Sequence, residues 1–208
     1  MTDLHEKSPA EINHPPDYDA MAHANYWHPE ALFGLCLDYL KPGERLLDLG
    51  IGTGLGAAPF ASFGLRVTGM DSSAEMLALC REKRIAEELK EHDLLQLPWP
   101  FAGEAFDHAI ALGVLHFLPY LEPVIAEAGR LLRQGGTFTF TTKAPARQES
   151  GPYEVETIQN TTLYLHRSGY LERVLAGAGF VLLKELHLLV RTGTGAEAPF
   201  YAFVTRKS

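Results

Sequence analysis

The chain has 208 residues, 46% of them hydrophobic and 21% charged, which fits one globular domain with a sizeable core. Eighteen Lys and Arg against 26 Asp and Glu give a formal net charge of −8, so the total lends no support to a nucleic-acid partner. Cys36 and Cys80, far apart, do not resemble a disulfide framework, Met1 to Ala10 has no apolar core like that of a signal peptide, and no apolar run reaches membrane-spanning length. A cytoplasmic protein is therefore expected.

Residues 1–25 carry Pro9, Pro15 and Pro16 with little apolar periodicity, and are expected to form a mobile arm or lid ahead of one domain over 26–208. His5, His14, His23 and His28 have no metal-ligand spacing, so no metal is expected there. Leu32, Phe33, Cys36, Leu37 and Leu40 recur at helical spacing until Pro42-Gly43 ends the pattern. Leu46 to Leu49 reads as a buried strand running into Gly50-Ile51-Gly52-Thr53-Gly54, a turn whose glycines let a ligand approach the backbone. The helix after it, over about 54–63, would present its N-terminus to that ligand. Asp48 would repel a pyrophosphate and attract an ammonium. Gly52-Thr53-Gly54-Leu55-Gly56-Ala57 also fits the G-x-G-x-x-A dinucleotide pattern, so an NAD-dependent oxidoreductase is the rival at this point, and a mere tight turn is the plain alternative.

Leu65 to Met70 is a second strand, ending at Asp71, where a carboxylate suits both hydroxyls of a ribose. Helix capping is the competing role for Asp71. Ser72 and Glu75 match a capping box and take that role in the sequence pattern. Glu87 to His92 is a weak third strand. Asp93 after it can accept from an exocyclic amine, with Leu94 on a ring face. Phe106 to Leu112 is a fourth strand, followed by Gly113 to Leu118 with His116 as a base, a substrate contact or an ordinary helix-start residue. A helix over 119–133, a break at Gly135-Gly136 and a strand from Thr137 to Thr142 follow. Residues 144–165 read as a long polar connection, 168–178 as a helix, and Val181–Val190 with Phe200–Thr205 as an antiparallel pair. Alternating strands and helices imply a doubly wound α/β fold, with ligands at the carboxyl ends of its strands.

On Leu46–Gly54, Val67–Ser72, His92–Leu94 and Phe106–Leu118 with Arg130–Gly136, the chain resembles class I S-adenosylmethionine-dependent methyltransferases of the small-molecule, ubiquinone-biosynthesis-like type. Gln134 stands where the family's R-x-L-K-P-G-G turn has proline. Ala178-Gly179-Phe180, Tyr18-Asp19 and Tyr26-Trp27 extend the likeness to about residues 18–205. The resemblance implies a Rossmann-like sheet ordered 3-2-1-4-5-7-6 with strand 7 antiparallel. It implies S-adenosyl-L-methionine as cofactor, with S-adenosyl-L-homocysteine as product. Asp48 would hold the methionine ammonium, with Gly50, Ile51, Gly52 and Gly54 in the turn. Asp71 would bind the ribose, with Ser72 beside it, Met76 the adenine or ribose face, Leu94 the ring face, Asp93 the adenine amine, and backbone at Leu112 the methionine end.

The acceptor would face Tyr18, Tyr26, Trp27, Phe117, Tyr153 and His166, with His116 as the catalytic candidate. No N/D-P-P-Y/F or Pro-Cys motif follows the fourth strand, which argues for a small-molecule acceptor over a nucleic acid. A monomer or homodimer is expected. A non-catalytic S-adenosylmethionine-binding protein is the third reading.

Overall fold

The computed structural model describes residues 18–25, 27, 29–146, 150–158, 160–191 and 196–208. Residues 1–17 of the expected arm, with His5 and His14, and also Tyr26 and His28, lie outside the described residues. Seven strands form one sheet, ordered β3-β2-β1-β4-β5-β9-β8. They are β1 (Arg45–Leu49), β2 (Arg66–Asp71), β3 (Glu88–Glu91), β4 (Phe106–Ala111), β5 (Leu132–Lys143), β8 (Phe180–Arg191) and β9 (Glu197–Lys207). β1 to β5 are parallel, and β9 runs antiparallel between β5 and β8. The expected strand order is thus observed, with a two-stranded sheet, β6 (Tyr153–Ile158) and β7 (Thr161–His166), added beside it.

Alternation along each strand divides the core. In β1, Leu47 and Leu49 join one apolar cluster and Leu46 the other, as Ala109 and Ile110 do in β4 and Phe203 and Val204 in β9. Helices α5 (Glu122–Leu131) and α6 (Ser168–Gly177) cover the first face with Val124, Ile125, Ala128, Leu171 and Val174. There Phe138, Phe140 and Phe203 stack with centroids 5.1 and 5.3 Å apart. Helices α2 (Pro29–Cys36), α3 (Ala58–Phe63) and α4 (Ala74–Lys83) cover the other face with Leu32, Phe60, Leu77 and Cys80. The short helix α1 (Tyr18–Ala24) precedes them. By period 2, Asp48 points with Leu46 toward the α2–α4 side.

Three local expectations change. The capping residue of α4 is Ser73, whose Oγ accepts from Met76 N at 3.2 Å, so the capping box built on Ser72 is one residue early. Helix α5 stops at Leu131 and β5 begins at Leu132, earlier than the glycine break suggests. The register slips between Phe106 and His108, and a Cβ on Gly136 would meet Asp107 O at 2.7 Å, so only glycine permits that close approach. Residues 144–165 are not a featureless connection, since they contain the β6–β7 hairpin. Asn160, just ahead of β7, has φ 67°.

Candidate functional site

One cavity of about 700 Å³ opens at the carboxyl ends of β1, β2, β4, β5 and β8. One end of it is built by the turn after β1. Gly50 (φ 72°) and Gly52 (φ 54°) take left-handed backbone that a side chain would strain, and a Cβ on Gly50 would also lie 2.7 Å from Val114 Cγ2. Gly50, Ile51 and Gly52 line the cavity. Gly54 does not line it: a Cβ there would meet Cys80 Sγ at 2.9 Å and Ile85 Cδ1 at 2.8 Å. The third glycine thus serves to pack the turn on α4, a correction to its expected ligand role.

Asp71, Ser72, Met76, Asp93, Leu94 and Leu112 all line the same end. Asp71 is already engaged. Its Oδ2 accepts from Gly52 N at 2.8 Å and its Oδ1 from Ser73 N at 2.9 Å. The carboxylate therefore braces the turn against Ser73, the cap of α4, and each oxygen keeps a second lone pair for a ligand. With Ser73 as the cap of α4, Ser72 does not fill that role. Asp93 Oδ1 accepts from Leu95 N at 2.9 Å, while Oδ2 meets no donor among the described residues.

Asp48 stands one step behind the lining. It is 2% exposed, and a Cβ on the lining residue Gly56 would sit 3.9 Å from its Oδ2. No hydrogen bond from the described residues reaches its carboxyl. Burial, and then the charge of Asp71, push its pKa well above the usual carboxylate range. A buried acid without donors is costly, and a cationic donor group entering through Gly56 would supply what is missing. These acceptors therefore fit a ligand with an ammonium at one end and hydroxyl and amine groups further along.

The other end of the cavity is mostly apolar. Trp27, Phe117 and Phe200 line it, with Ile158, Thr161 and Leu163 from the hairpin. His116 lines it too, packed edge-on to Phe200 with centroids 5.5 Å apart. Its Nδ1 is buried without a partner among the described residues, and burial, helped by Lys143 and His166, lowers its pKa to about 3. The imidazole is therefore neutral throughout the physiological range. Lys143, at the end of β5, and Arg191, at the end of β8, also line this region. The sequence pattern gave no sign that Phe200 or Arg191 belonged here. Lys143 had one available signal, its place at the carboxyl end of a strand.

Two expected acceptor contacts lie elsewhere. His166 is fully buried outside the lining, with Nδ1 against Thr142 Oγ1 at 2.7 Å and Nε2 against Leu118 O at 2.9 Å. It ties β7 to β5 and to the segment after β4. Tyr153 packs on Tyr120 and Tyr164, with centroids 5.6 and 5.0 Å away, and does not reach the cavity. Tyr26 lies outside the described residues.

Helix α1 covers the cavity through Tyr18, Met21 and Ala22. Asp19 pins it, accepting from Thr53 Oγ1 in the glycine turn at 2.5 Å and pairing with Lys83 of α4. Desolvation would raise the Asp19 pKa, but the bonds from Lys83 and Thr53 prevail and hold it low. Burial, then Asp19 and Asp71, raise the pKa of the Tyr18 phenol, which keeps its proton. Asp19→Ala should free α1 with little change in the core. The loss of about 1 kcal/mol from a partly exposed pair corresponds to roughly fivefold weaker ligand binding. Limited proteolysis should then cut ahead of Trp27 faster than in the parent. Unchanged cleavage would show that Asp19 is not the pin.

A family model described as a methyltransferase domain matches residues 47–140, the stretch from β1 into β5. Phosphatidylethanolamine N-methyltransferase of Cereibacter sphaeroides is 39% identical over 100 residues, covering 45% of this chain and 48% of that protein. A malonyl-[acyl-carrier protein] O-methyltransferase of Serratia marcescens is 35% identical over 127 residues, covering 61% and 48%. This chain spans about half the length of these curated relatives. Among solved structures, an S-adenosylmethionine-dependent methyltransferase from Methanosarcina mazei superposes with TM-score 0.72 at 19% identity, over 83% of this chain and 96% of that one. Magnesium protoporphyrin IX methyltransferase from Synechocystis, solved with bound S-adenosylmethionine, superposes with TM-score 0.65 at 19% identity, over 94% and 86%.

Proposed function

We propose that the chain is a class I S-adenosylmethionine-dependent methyltransferase and that it transfers a methyl group to a small-molecule or lipid acceptor held in the apolar end of its cavity. The observation that carries this is the continuity of one cavity from the glycine turn, Asp71 and Asp93 to His116, Phe117 and Phe200. Cofactor and acceptor can meet there without crossing solvent. We place the protein in the cytosol, as a monomer or homodimer. The free, buried cysteines support the cytosolic placement.

When bound, S-adenosylmethionine supplies a methyl carbon on a sulfonium leaving group. The chain's own residues bind and orient. Asp48 holds the ammonium, and Gly50 and Gly52 admit the ligand close to the backbone. Asp71 and Ser72 hold the ribose, and Asp93 the adenine amine. Ile51, Met76, Leu94 and Leu112 enclose the apolar faces. Helix α1 and Trp27 act as the lid, with Tyr18 beneath it, and keep water from the reacting atoms. Orientation in such a site contributes about 7–11 kcal/mol to lowering the barrier. His116 contacts the acceptor. Being neutral, it offers one N–H and one bare nitrogen, which suits hydrogen bonding to an acceptor oxygen better than storing a proton.

Thermal unfolding with S-adenosylhomocysteine and, separately, with NADH tests this reading. At 100 times its dissociation constant a ligand adds about 2.7 kcal/mol, or roughly 5–11 °C for a chain of this size. A rise with S-adenosylhomocysteine alone is expected. A rise with NADH alone would overturn the reading of the turn and of Asp48.

A further inference from the structure

The charges lining the cavity are sorted by sign. Asp71 and Asp93 stand at the end formed by β1, β2 and the loop after β3, where a cationic cofactor would sit. At the other end the charged residues are Lys143 and Arg191, and no carboxylate lines that end among the described residues. We propose that the acceptor is an oxygen anion, a carboxylate or an acidic hydroxyl of phenol or enol type, carried on an apolar body and methylated on oxygen. This rests on the methyltransferase reading and names its acceptor class.

Lys143 is 4% exposed, yet it lines the cavity. Its ammonium pairs with Glu156 of the hairpin, which is not a lining residue and whose side chain is 41% exposed. Lys143 thus belongs to the cavity wall, while its half-exposed counterion does not. An ammonium has three donors, so the pair leaves capacity for a second oxygen. Beside it, the ring of His116 makes no hydrogen bond with any described residue, and it can donate to a carboxylate or accept from a hydroxyl. An amine acceptor in its ammonium form would be desolvated next to Lys143 and Arg191, with no lining carboxylate among the described residues at that end to receive it. The walls, Trp27, Phe117, Phe200, Ile158, Leu163 and Val190, suit a flat or branched apolar body.

The transfer balances simply. An oxygen lone pair forms the O–C bond as the C–S bond breaks, and the bonding electrons pass to sulfur. A carboxylate releases no proton. A hydroxyl gives its proton to water before transfer, and the anion is then held by Lys143.

Calorimetry on the full chain saturated with S-adenosylhomocysteine tests this with four probes: 1-naphthoate, 4-nitrophenolate at pH 8, neutral methyl 1-naphthoate and 1-naphthylmethylammonium. At least one anion should bind about tenfold more tightly than the ester or the ammonium, and which of the two does so separates carboxylate from hydroxyl. Lys143→Met should weaken that anion about tenfold, leaving the ester and S-adenosylhomocysteine unchanged. Glu156→Gln should act in the opposite sense and tighten the anion severalfold, which a merely structural ion pair would not do. If Lys143→Met does not fold, Glu156→Gln carries the test alone. Equal or tighter binding of the ammonium, no measurable binding of either anion, or a Glu156→Gln protein with unchanged or weaker anion affinity would overturn the proposal. Failure of the parent to bind S-adenosylhomocysteine would instead remove the reading beneath it.

Discussion

Asp48→Asn is expected to give a ligand-free protein that melts higher than the parent, yet binds S-adenosylhomocysteine at least tenfold more weakly. Both effects come from one carboxyl group, buried, with no hydrogen bond from the described residues and close enough to Asp71 to feel its charge. In the folded chain its pKa is raised, so over the interval between the unfolded value, about 4, and the folded value the native state binds more protons than the unfolded state. Stability of the parent therefore falls as pH rises through that interval and stays low above it. The amide has no such charge, and the variant should lack this part of the slope. Relief of an unsatisfied buried group is of the order of 1–3 kcal/mol, at roughly 2–4 °C per kcal/mol. Ligand binding moves the other way, because a charge-assisted bond to an ammonium, about 1.5–3 kcal/mol, is lost, a factor of about 10 to 150. Melting curves from pH 4 to 9 with and without S-adenosylhomocysteine read both effects. A variant that melts lower at neutral pH without ligand would show that Asp48 is already satisfied in the free protein.

The strand-to-turn passage at Leu46–Gly54 and the ends of β2 and β4 were legible because they rest on local signals, apolar runs broken by glycine and acid. Period 2 within β1 even determines the side to which Asp48 points. The hairpin was not legible in the same way. Tyr153 to Ile158 alternates, but Glu154 and Glu156 make it look solvated, and no Asn-Gly pair stands between it and Thr161. His166 shows the limit most clearly. It stands just ahead of Ser168 and the start of α6, so in sequence it looks like a surface residue. Pairing of β7 with β6 carries it under Leu118 and beside Thr142, contacts 48 and 24 residues away. The basic end of the cavity is a product of such long-range placement, since Lys143 and Arg191 belong to β5 and β8, strands separated by β9. Ser72 and Ser73 differ for a smaller reason: where β2 ends by one residue decides which hydroxyl caps α4.

Asp71→Ala is expected to weaken S-adenosylhomocysteine more than tenfold and also to destabilise the free protein. Asp71→Asn separates the two causes. In the parent, one carboxylate accepts from Gly52 N and Ser73 N, holding the glycine turn against the start of α4. Alanine leaves both amides without their acceptor, a loss of about 3 kcal/mol if each charged bond is worth the low end of its range. Asparagine keeps one acceptor oxygen, so its stability should fall between those of the parent and the alanine variant. Its amide nitrogen cannot accept, and it would also face Gly52 N or Ser73 N with a donor. A ribose held by the carboxylate would lose charge-assisted bonds in both variants, so affinity should drop about tenfold or more even where asparagine preserves the fold. Removing the Asp71 charge also lets the Asp48 pKa move back toward its usual range, since Asp71 is the second cause of its rise. Stability of Asp71→Asn should accordingly decline less steeply with pH than that of the parent. An Asp71→Asn protein with parental ligand affinity and reduced stability would assign the carboxylate to the turn alone, and the ribose would then have to be held from Ser72 or the backbone.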